Sequence, residues 1–531
     1  MRILVMLSGQ KWMGGLAIQT ALLCREWERQ GHEVAVIAVG ADIALDSFRS
    51  ERVRWGACPA SQAGRRKSGG NVRILRAAAS NGRARPGRVE RAADEYVFRY
   101  EVVADVARYV FDGPPVMRKA LWPVARAGVA LFAPPPWIGP AREAVTGLAR
   151  SMAIALDARL SGGAAEAPLL TRLLLHTDEE DLRRIEEIRD WFQPEIEYAC
   201  DLTLVPLMAR TRDRGIPLVA GAQGFEIVLR RGVPLIPALR AARQRVDLII
   251  SGSHENLGAN VAPVAALAGD SVPARVIPYG VALDEGWEMD YGEAVGRMEA
   301  IERRLAPRDR GPHGLWGPGG PPDNLFAPDA PFIVTCYSRI DVEKGTDLPL
   351  HAVAILRDQG IPARLWIAGN AVAGSAYLDV LRQKVRFLDL TDRVSLIGTL
   401  PDPLDKVALL RASSALALGF IRTEPFGMVY TEGFAAGVPV VAPATGAAPE
   451  LMAYAGETAT LYPKNDTGAL AARLRLLYEQ PERRRRLGAQ ERRAFLQRYN
   501  ATVMAREALA AFEEAIRRRK RAGAAVQRAA A

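Results

Sequence analysis

The chain has 531 residues, 49% of them hydrophobic and 24% charged, with a formal net charge of +10. That length exceeds one hydrophobic core, so two domains plus insertions are expected, and the composition excludes a wholly disordered chain. The excess of positive charge favours an anionic partner (a nucleotide-sugar, a phospholipid, a polyanionic glycan or nucleic acid) without choosing among them.

The opening MRILVMLSG is apolar, too short for a signal peptide, and runs straight into glycines, so it reads as a first β-strand over Arg2 to Leu7. A loop from Ser8 to Gly15, a helix from about Leu16 to Gln30 and a second strand from Val34 to Val39 complete a strand-loop-helix-strand unit, the start of a doubly wound sheet. Gly14 and Gly15 stand before a helix, where backbone amides can approach a phosphate; a tight turn explains them equally well. From about 47 to 190 the α/β alternation breaks down. Glu51 to Arg91 is basic and rich in small residues, and reads as a mobile arm. Arg99 to Leu160 is more apolar, with Trp122 and Trp137 flanking an interrupted apolar run. Basic beside aromatic residues suits an anionic membrane interface, while a helical insertion with a solvated edge explains the same pattern. No nucleic-acid-binding module is recognisable, so no nucleic-acid partner is expected.

Alternation resumes near Glu195, with short strands expected over Asp201 to Val205, Pro217 to Ala220, Asp247 to Ser251 and Ala274 to Pro278. A Gly/Pro-rich stretch over 301–331 reads as a linker or surface loop. Beyond it come a strand Phe332 to Tyr337, a helix Asp347 to Gln359, a strand Arg364 to Ala368, a helix Ala376 to Leu388 and a strand Val394 to Ile397. The expected organisation is an N-terminal domain over 1–300 with its insertion at about 47–190, the linker, a C-terminal domain over 332–500, and a helix with a basic tail over 501–531.

Two segments carry chemistry. Ser338-Arg339-Ile340-Asp341-Val342-Glu343-Lys344-Gly345 directly follows an expected strand, and two cations in a glycine-ended loop can clamp a diphosphate. The second is TEPFGMVYTEGFAAGVPVV, with seven residues between Glu424 and Glu432. Pro425 and Gly427 require a loop, Met428 to Ala436 has helical spacing, Gly437 stops the helix, and Val438 to Ala442 reads as a buried strand. Both carboxylates then lie near one helix N-terminus, where they suit sugar hydroxyls; a solvated loop Glu and a capping Glu are the plainer alternative.

These segments resemble the signature of the GT-B-fold retaining glycosyltransferases of family 4, the glycosyl transferases group 1. The resemblance covers roughly 1–45 and 195–515. It implies two Rossmann-like doubly wound α/β domains facing across a cleft, with a helical, basic insertion in the first. It implies that Arg339 and Lys344 neutralise the donor diphosphate, Glu424 contacts the donor sugar and Glu432 the ribose, with Phe426 and Gly427 beside them. Ile367-Ala368-Gly369-Asn370 resembles the strand-ending Gly-x-Gly near the nucleotide base, though a turn without ligand contact is the competing reading. Gly446 and Glu450 match the family's Gly-Gly-x-x-Glu, and Ile277 to Val281 its Ile-Pro-Asn-Gly-Val with Tyr279 for the asparagine. Gln223 stands where the family often has a histidine near the donor sugar, and Glu226 is a further acceptor-side candidate. A glutamine cannot act as acid or base, which leaves a front-face mechanism with cleft closure to exclude water.

The implied activity is transfer of a sugar, with retention, from a nucleotide-sugar to a glycan or lipid-linked acceptor in surface polysaccharide or glycolipid synthesis. A GT-B synthase making a soluble disaccharide or sugar phosphate, and a non-catalytic glycan- or membrane-binding protein, are the alternatives. The nucleotide-sugar would be a substrate; no cofactor and no metal are expected. No 18-residue apolar run is present, so the expected location is cytoplasmic, with peripheral attachment to the inner membrane face as an extension. Four scattered cysteines, Cys24, Cys58, Cys200 and Cys336, fit free thiols in a reducing compartment.

Overall fold

The computed structural model describes residues 1–8, 14–39, 72–76, 179–205, 208, 211–223, 245–261, 273–327, 330–371, 377–456 and 458–530. The chain divides into two compact units, the first made of 1–251, 257–275 and 509–531, the second of 252–256 and 276–508.

The first unit holds a seven-stranded sheet of β1 (Arg2–Ser8), β2 (Glu33–Val39), β3 (Val72–Arg76), β4 (Ile196–Ala199), β5 (Leu218–Ala222), β6 (Val246–Ser251) and β7 (Ala274–Val276), in the order β3-β2-β1-β4-β5-β6-β7. The pairings β1·β2, β2·β3, β1·β4, β4·β5 and β5·β6 are parallel. Ile3 to Leu7 have no exposed surface, as a strand covered on both faces must. The helix Gly14–Arg29 follows β1 and places Trp27 in the core against Tyr198 and Phe512, at ring-centroid distances of 6.0 and 5.1 Å. Phe512 lies on the last helix, Ala501–Ala530, whose residues from Leu509 onward belong to this unit.

Two expectations for this unit change. The strand placed at Asp201 to Val205 lies instead at Ile196–Ala199, and Leu202–Leu204 is a 3-10 turn. Glu197 hides the true strand in the sequence, because a charge in a central strand reads as a loop. In the fold it is fully buried, and the Arg189 guanidinium answers it with two hydrogen bonds, Nε at 2.5 Å and Nη2 at 2.7 Å. The basic arm over Glu51 to Arg91 contains β3, paired in register with β2 from Val34↔Val72 to Ala38↔Arg76. Apart from β3 and the helix Glu179–Phe192, the expected insertion lies outside the described residues, as does Cys58.

Glu28, half-buried on the first helix, has one carboxylate oxygen buried without a partner, and burial raises its carboxyl to about 7. A raised folded-state value means that the neutral form is favoured. Its contribution is fully present below the ordinary carboxyl range and is lost as pH rises through about 7. Glu28→Gln should therefore raise the melting temperature at pH 8, by an amount equivalent to about 1 kcal/mol after allowance for solvent screening. The gain should vanish at pH 5, and thermal melts across that range check it.

The second unit holds a six-stranded sheet of β8 (Phe332–Tyr337), β9 (Ala363–Ala368), β10 (Val394–Gly398), β11 (Ala415–Ala417), β12 (Val440–Pro443) and β13 (Leu461–Tyr462), in the order β10-β9-β8-β11-β12-β13. Its pairings are all parallel. The strand order reverses between β8 and β11. In an open parallel sheet the crevice beyond the carboxyl ends of such a pair is where ligands bind. The helix Asp347–Asp358 and its neighbours cover the sheet with a continuous aliphatic core that includes Val334, Leu350, Leu365 and Leu474.

Residues 301–331 do not form a separate linker. They finish the helix Tyr291–Arg304, add a turn at Pro307–Arg310, and bury Leu315, Trp316 and Leu325 in the second unit. Trp316 packs edge-on against Trp366 at 4.9 Å, and the Leu315 carbonyl accepts from Trp366 Nε1 at 3.0 Å and Arg364 Nε at 2.8 Å. Glycine and proline here shape a tight turn that points carbonyls inward. Residues 276–300 likewise belong to the second unit rather than the first.

Candidate functional site

The site is built at the carboxyl ends of β8 and β11. After β8 the chain turns through Ser338 and Arg339 into a short 3-10 turn, Val342–Lys344, whose Asp341 cap accepts from the Glu343 amide at 2.8 Å. The loop is held from β9, because the Ser338 amide donates to the Ala368 carbonyl and the Ile340 amide to the Asn370 carbonyl at 2.9 Å. Gly369 makes this contact possible. Its φ is +138°, and a Cβ there would sit 1.7 Å from the Ser338 carbonyl oxygen. Gly369 and Asn370 therefore shape the cation loop from beneath.

Arg339 lies partly exposed, with Nη1 3.3 Å from Asp341. Lys344 forms a direct ion pair with Glu424, and its ammonium also lies 4.9 Å over the Phe420 ring. Arg422, which the sequence reading did not single out, reaches Glu343 at 3.4 Å, while the Ile421 and Arg422 amides both donate to the Glu343 carbonyl at 3.1 Å. Burial raises the Glu343 carboxyl, and the Arg422 charge works against that shift. The two strand-end loops are thus tied to each other, and three cations, Arg339, Lys344 and Arg422, stand on them.

Glu424 and Glu432 have different ion-pair partners. The helix Met428–Ala436 begins and ends where expected, with Gly437 left-handed at φ +69° as its stop. The carboxylate before the helix faces Lys344, whereas Glu432, inside it, faces Lys406 on the helix Pro403–Arg411, with Oε1 3.0 Å from Nζ. Lys406 also reaches Glu285 Oε2 at 3.2 Å. Burial pulls the Lys406 ammonium down, but the Glu432 and Glu285 charges more than offset it, and the group titrates above the usual lysine range. Lys406 and Glu285 are functional candidates that the sequence reading missed, since 121 residues separate them.

The backbone of Glu424 is fixed from the far side. Gly446, at φ +61° in the turn after β12, lies so close that a Cβ would be 2.2 Å from the Glu424 carbonyl oxygen, and the Ala447 amide donates to that oxygen at 3.1 Å. The Pro425 carbonyl accepts from Ser253 Oγ at 2.6 Å, and Glu450 accepts from the His254 amide and ring Nδ1, both at 2.9 Å. Phe426 is buried, with its ring tilted 55° against that of Tyr279 at a centroid distance of 4.7 Å. Its side chain supports the loop, and Tyr279 is the residue that replaces the asparagine of the resemblance. Gly427 precedes the helix as its cap residue.

The remaining candidates lie in the first unit. Gly14 and Gly15 open the helix after β1, next to the reversal of strand order between β1 and β4. The Gln223 side chain follows β5 and hydrogen-bonds the Tyr198 hydroxyl, whose ionisation is pushed far up by burial. Glu226 lies outside the described residues. Among the described residues no group of three or more His, Cys, Asp or Glu could hold a metal ion, and no helix is long and apolar enough to cross a membrane.

Comparison with known proteins follows the same division. A family profile described as Glycosyl transferases group 1 matches residues 322–494. A D-inositol 3-phosphate glycosyltransferase of Corynebacterium efficiens is 33% identical over 158 residues, covering 29% of this chain and 37% of that protein. A GDP-mannose-dependent alpha-(1-6)-phosphatidylinositol monomannoside mannosyltransferase of Mycolicibacterium smegmatis is 30% identical over 163 residues, covering 29% and 41%. The chain thus spans about two fifths of the length of these curated relatives. Among solved structures, HepE of Anabaena in complex with UDP superposes with a TM-score of 0.57 at 14% identity, covering 97% of this chain and all of that one. Sucrose-phosphate synthase of Thermosynechococcus elongatus does so with a TM-score of 0.58 at 15% identity, covering 97% and 98%. At such identities the likeness shows the fold, GT-B with two open parallel sheets, and nothing beyond it.

Proposed function

We propose that this protein transfers a sugar, with retention of configuration, from a nucleotide-sugar to a glycan or lipid-linked acceptor; the match of residues 322–494 to the glycosyl transferases group 1 supports this reading. The observation that carries the reading is the set of cations after β8 facing a carboxylate after β11, at the strand-order reversal of the second unit. A diphosphate fits Arg339 and Lys344, and the sugar attached to it meets Glu424.

In this mechanism the bond between the sugar's anomeric carbon and the departing diphosphate breaks as the acceptor hydroxyl attacks the same face. The acceptor proton passes to the leaving phosphate oxygen. Arg339 and Lys344 stabilise the negative charge that grows on the diphosphate, the kind of electrostatic support that contributes most in such reactions. Lys344 exchanges its ion pair with Glu424 for the phosphate, and Glu424 becomes an acceptor for sugar hydroxyls. Gln223 supplies no base, which suits a proton route through the phosphate.

The names of the relatives support a GDP-mannose or related hexose donor and an inositol-phosphate or phosphatidylinositol mannoside class of acceptor. The UDP bound to HepE keeps uridine donors in the set. The net charge of +10 supports work at an anionic membrane surface. A thermal-shift screen of UDP-, GDP- and ADP-hexoses tests the proposal: one class should raise the melting temperature by several degrees at millimolar ligand, and no shift with any would count against it. Charge neutralisation by protein cations also predicts that turnover persists in excess EDTA. Loss of activity restored by manganese would contradict that prediction.

A further inference from the structure

Tyr430 is fully buried in the first turn of the helix Met428–Ala436, and its hydroxyl has no hydrogen-bond partner among the described residues. The ring is fixed by its surroundings. It meets the Phe420 ring edge-on at 5.8 Å, and the Tyr430 amide donates to the Gly427 carbonyl at 3.1 Å. A Cβ on Gly427 would lie 2.7 Å from Tyr430 Cε2 and 2.9 Å from Glu424 Cγ, so the phenol edge and the Glu424 side chain are neighbours. Phe420 in turn carries the Lys344 ammonium over its face at 4.9 Å. The Lys344–Glu424 ion pair therefore stands beside two packed rings, one of which holds an unused hydroxyl.

A phenylalanine would fill the same space without burying an unsatisfied polar atom, which costs free energy. Tyr462, whose charge also acts on Tyr430, donates its own proton to the Leu418 carbonyl at 2.6 Å. Burial, and then the Glu424 charge, push the ionisation of Tyr430 well above its usual range, so the group stays a donor. Glu424 needs a donor in one state. It is about one-fifth exposed and paired with Lys344, and in the mechanism above Lys344 leaves it for phosphate. A carboxylate so enclosed is costly to leave without a partner. Rotation about the Glu424 side-chain torsions can bring its carboxylate to the hydroxyl, and a carboxylate has room to accept from a sugar hydroxyl as well.

We propose that Tyr430 is a positioning residue whose hydroxyl donates to Glu424 when phosphate draws Lys344 away, so that the ion pair opens without leaving a bare carboxylate. The inference rests on the donor-site reading above. The hydroxyl is idle in the free protein and makes its bond only in the complex, which turns it into affinity for ligands that reach Lys344.

Calorimetric titration of UDP and GDP against UMP and GMP tests it, with wild type, Tyr430→Phe, Glu424→Gln and the double variant. Tyr430→Phe should weaken the diphosphates by about fivefold or more and leave the monophosphates within about twofold. In the Glu424→Gln background the same substitution should change diphosphate binding by about twofold or less, because the carboxylate it serves is gone. The ligand-free Tyr430→Phe protein should melt at or above the wild-type temperature, as loss of an unsatisfied hydroxyl requires. Unchanged diphosphate affinity, equal weakening of mono- and diphosphates, or the same loss with and without the Glu424 carboxylate would overturn the inference. So would a Tyr430→Phe protein that melts well below wild type or fails to fold, since the hydroxyl would then serve the free fold. Wild type that binds neither diphosphate overturns the donor-site reading and this inference with it. Wild-type binding that Tyr430→Phe leaves intact overturns this inference alone.

Discussion

Lys344→Met should lower kcat by about 10²- to 10³-fold, the scale on which losing one preorganised charge donor acts on a transition state. The lysine sits after β8 with its ammonium on Glu424 and over the Phe420 ring, so the substitution keeps the stem and removes the charge. It should also weaken nucleoside diphosphate much more than nucleoside monophosphate, because the proposed mechanism assigns the ammonium to the second phosphate. Glu424→Gln provides the contrast. It breaks the same ion pair and leaves Lys344 free for phosphate, so nucleoside diphosphate should bind as well as to wild type or better. Equal losses of diphosphate binding in both variants would mean that the ion pair serves structure alone.

Gly369→Ala should be the most damaging single-atom change in the second unit. The new methyl would lie 1.7 Å from the Ser338 carbonyl oxygen, at a φ of +138° that side-chain-bearing residues rarely adopt. Either the fold loses more than about 4 kcal/mol, or the Ser338-Arg339 loop is driven off β9 and nucleotide binding fails. Gly360→Ala is the control: at φ +78° it has nothing within 4 Å of the added carbon. It should cost only the backbone penalty of about 1–2 kcal/mol and leave binding intact. Chemical denaturation together with nucleotide titration separates the two.

What could be read in the sequence was local. Phe332–Tyr337 and Met428–Ala436 appear at their expected boundaries because apolar spacing, Pro425 and Gly437 specify them without help from distant residues. The cation loop was legible for the same reason, as a run of eight residues at a strand end. Long-range pairing was not. Glu197 masks β4 until Arg189 is seen beside it, and the Gly/Pro content of 301–331 conceals the turn that buries Leu315 and Trp316 on Arg364 and Trp366. The resemblance implied different contacts for Glu424 and Glu432, the donor sugar and the ribose, but not the residues that face them in the fold: Lys344, 80 residues from Glu424, and Lys406, on another helix, beside Glu432.

The proposed mechanism assigns phosphate to Arg339 and Lys344 on the β8 loop and the sugar to Glu424, which pairs with Lys344; Glu432 pairs with Lys406 instead. The sharpest test is calorimetric titration of the hexose nucleotide that gives the largest thermal shift, alongside its parent nucleoside diphosphate, into wild type and Glu424→Gln. The account predicts that wild type binds both, and that Glu424→Gln weakens the sugar nucleotide by about tenfold or more while keeping the nucleoside diphosphate affinity. Absence of binding to wild type, or a Glu424→Gln protein that binds the sugar nucleotide as wild type does, would contradict it.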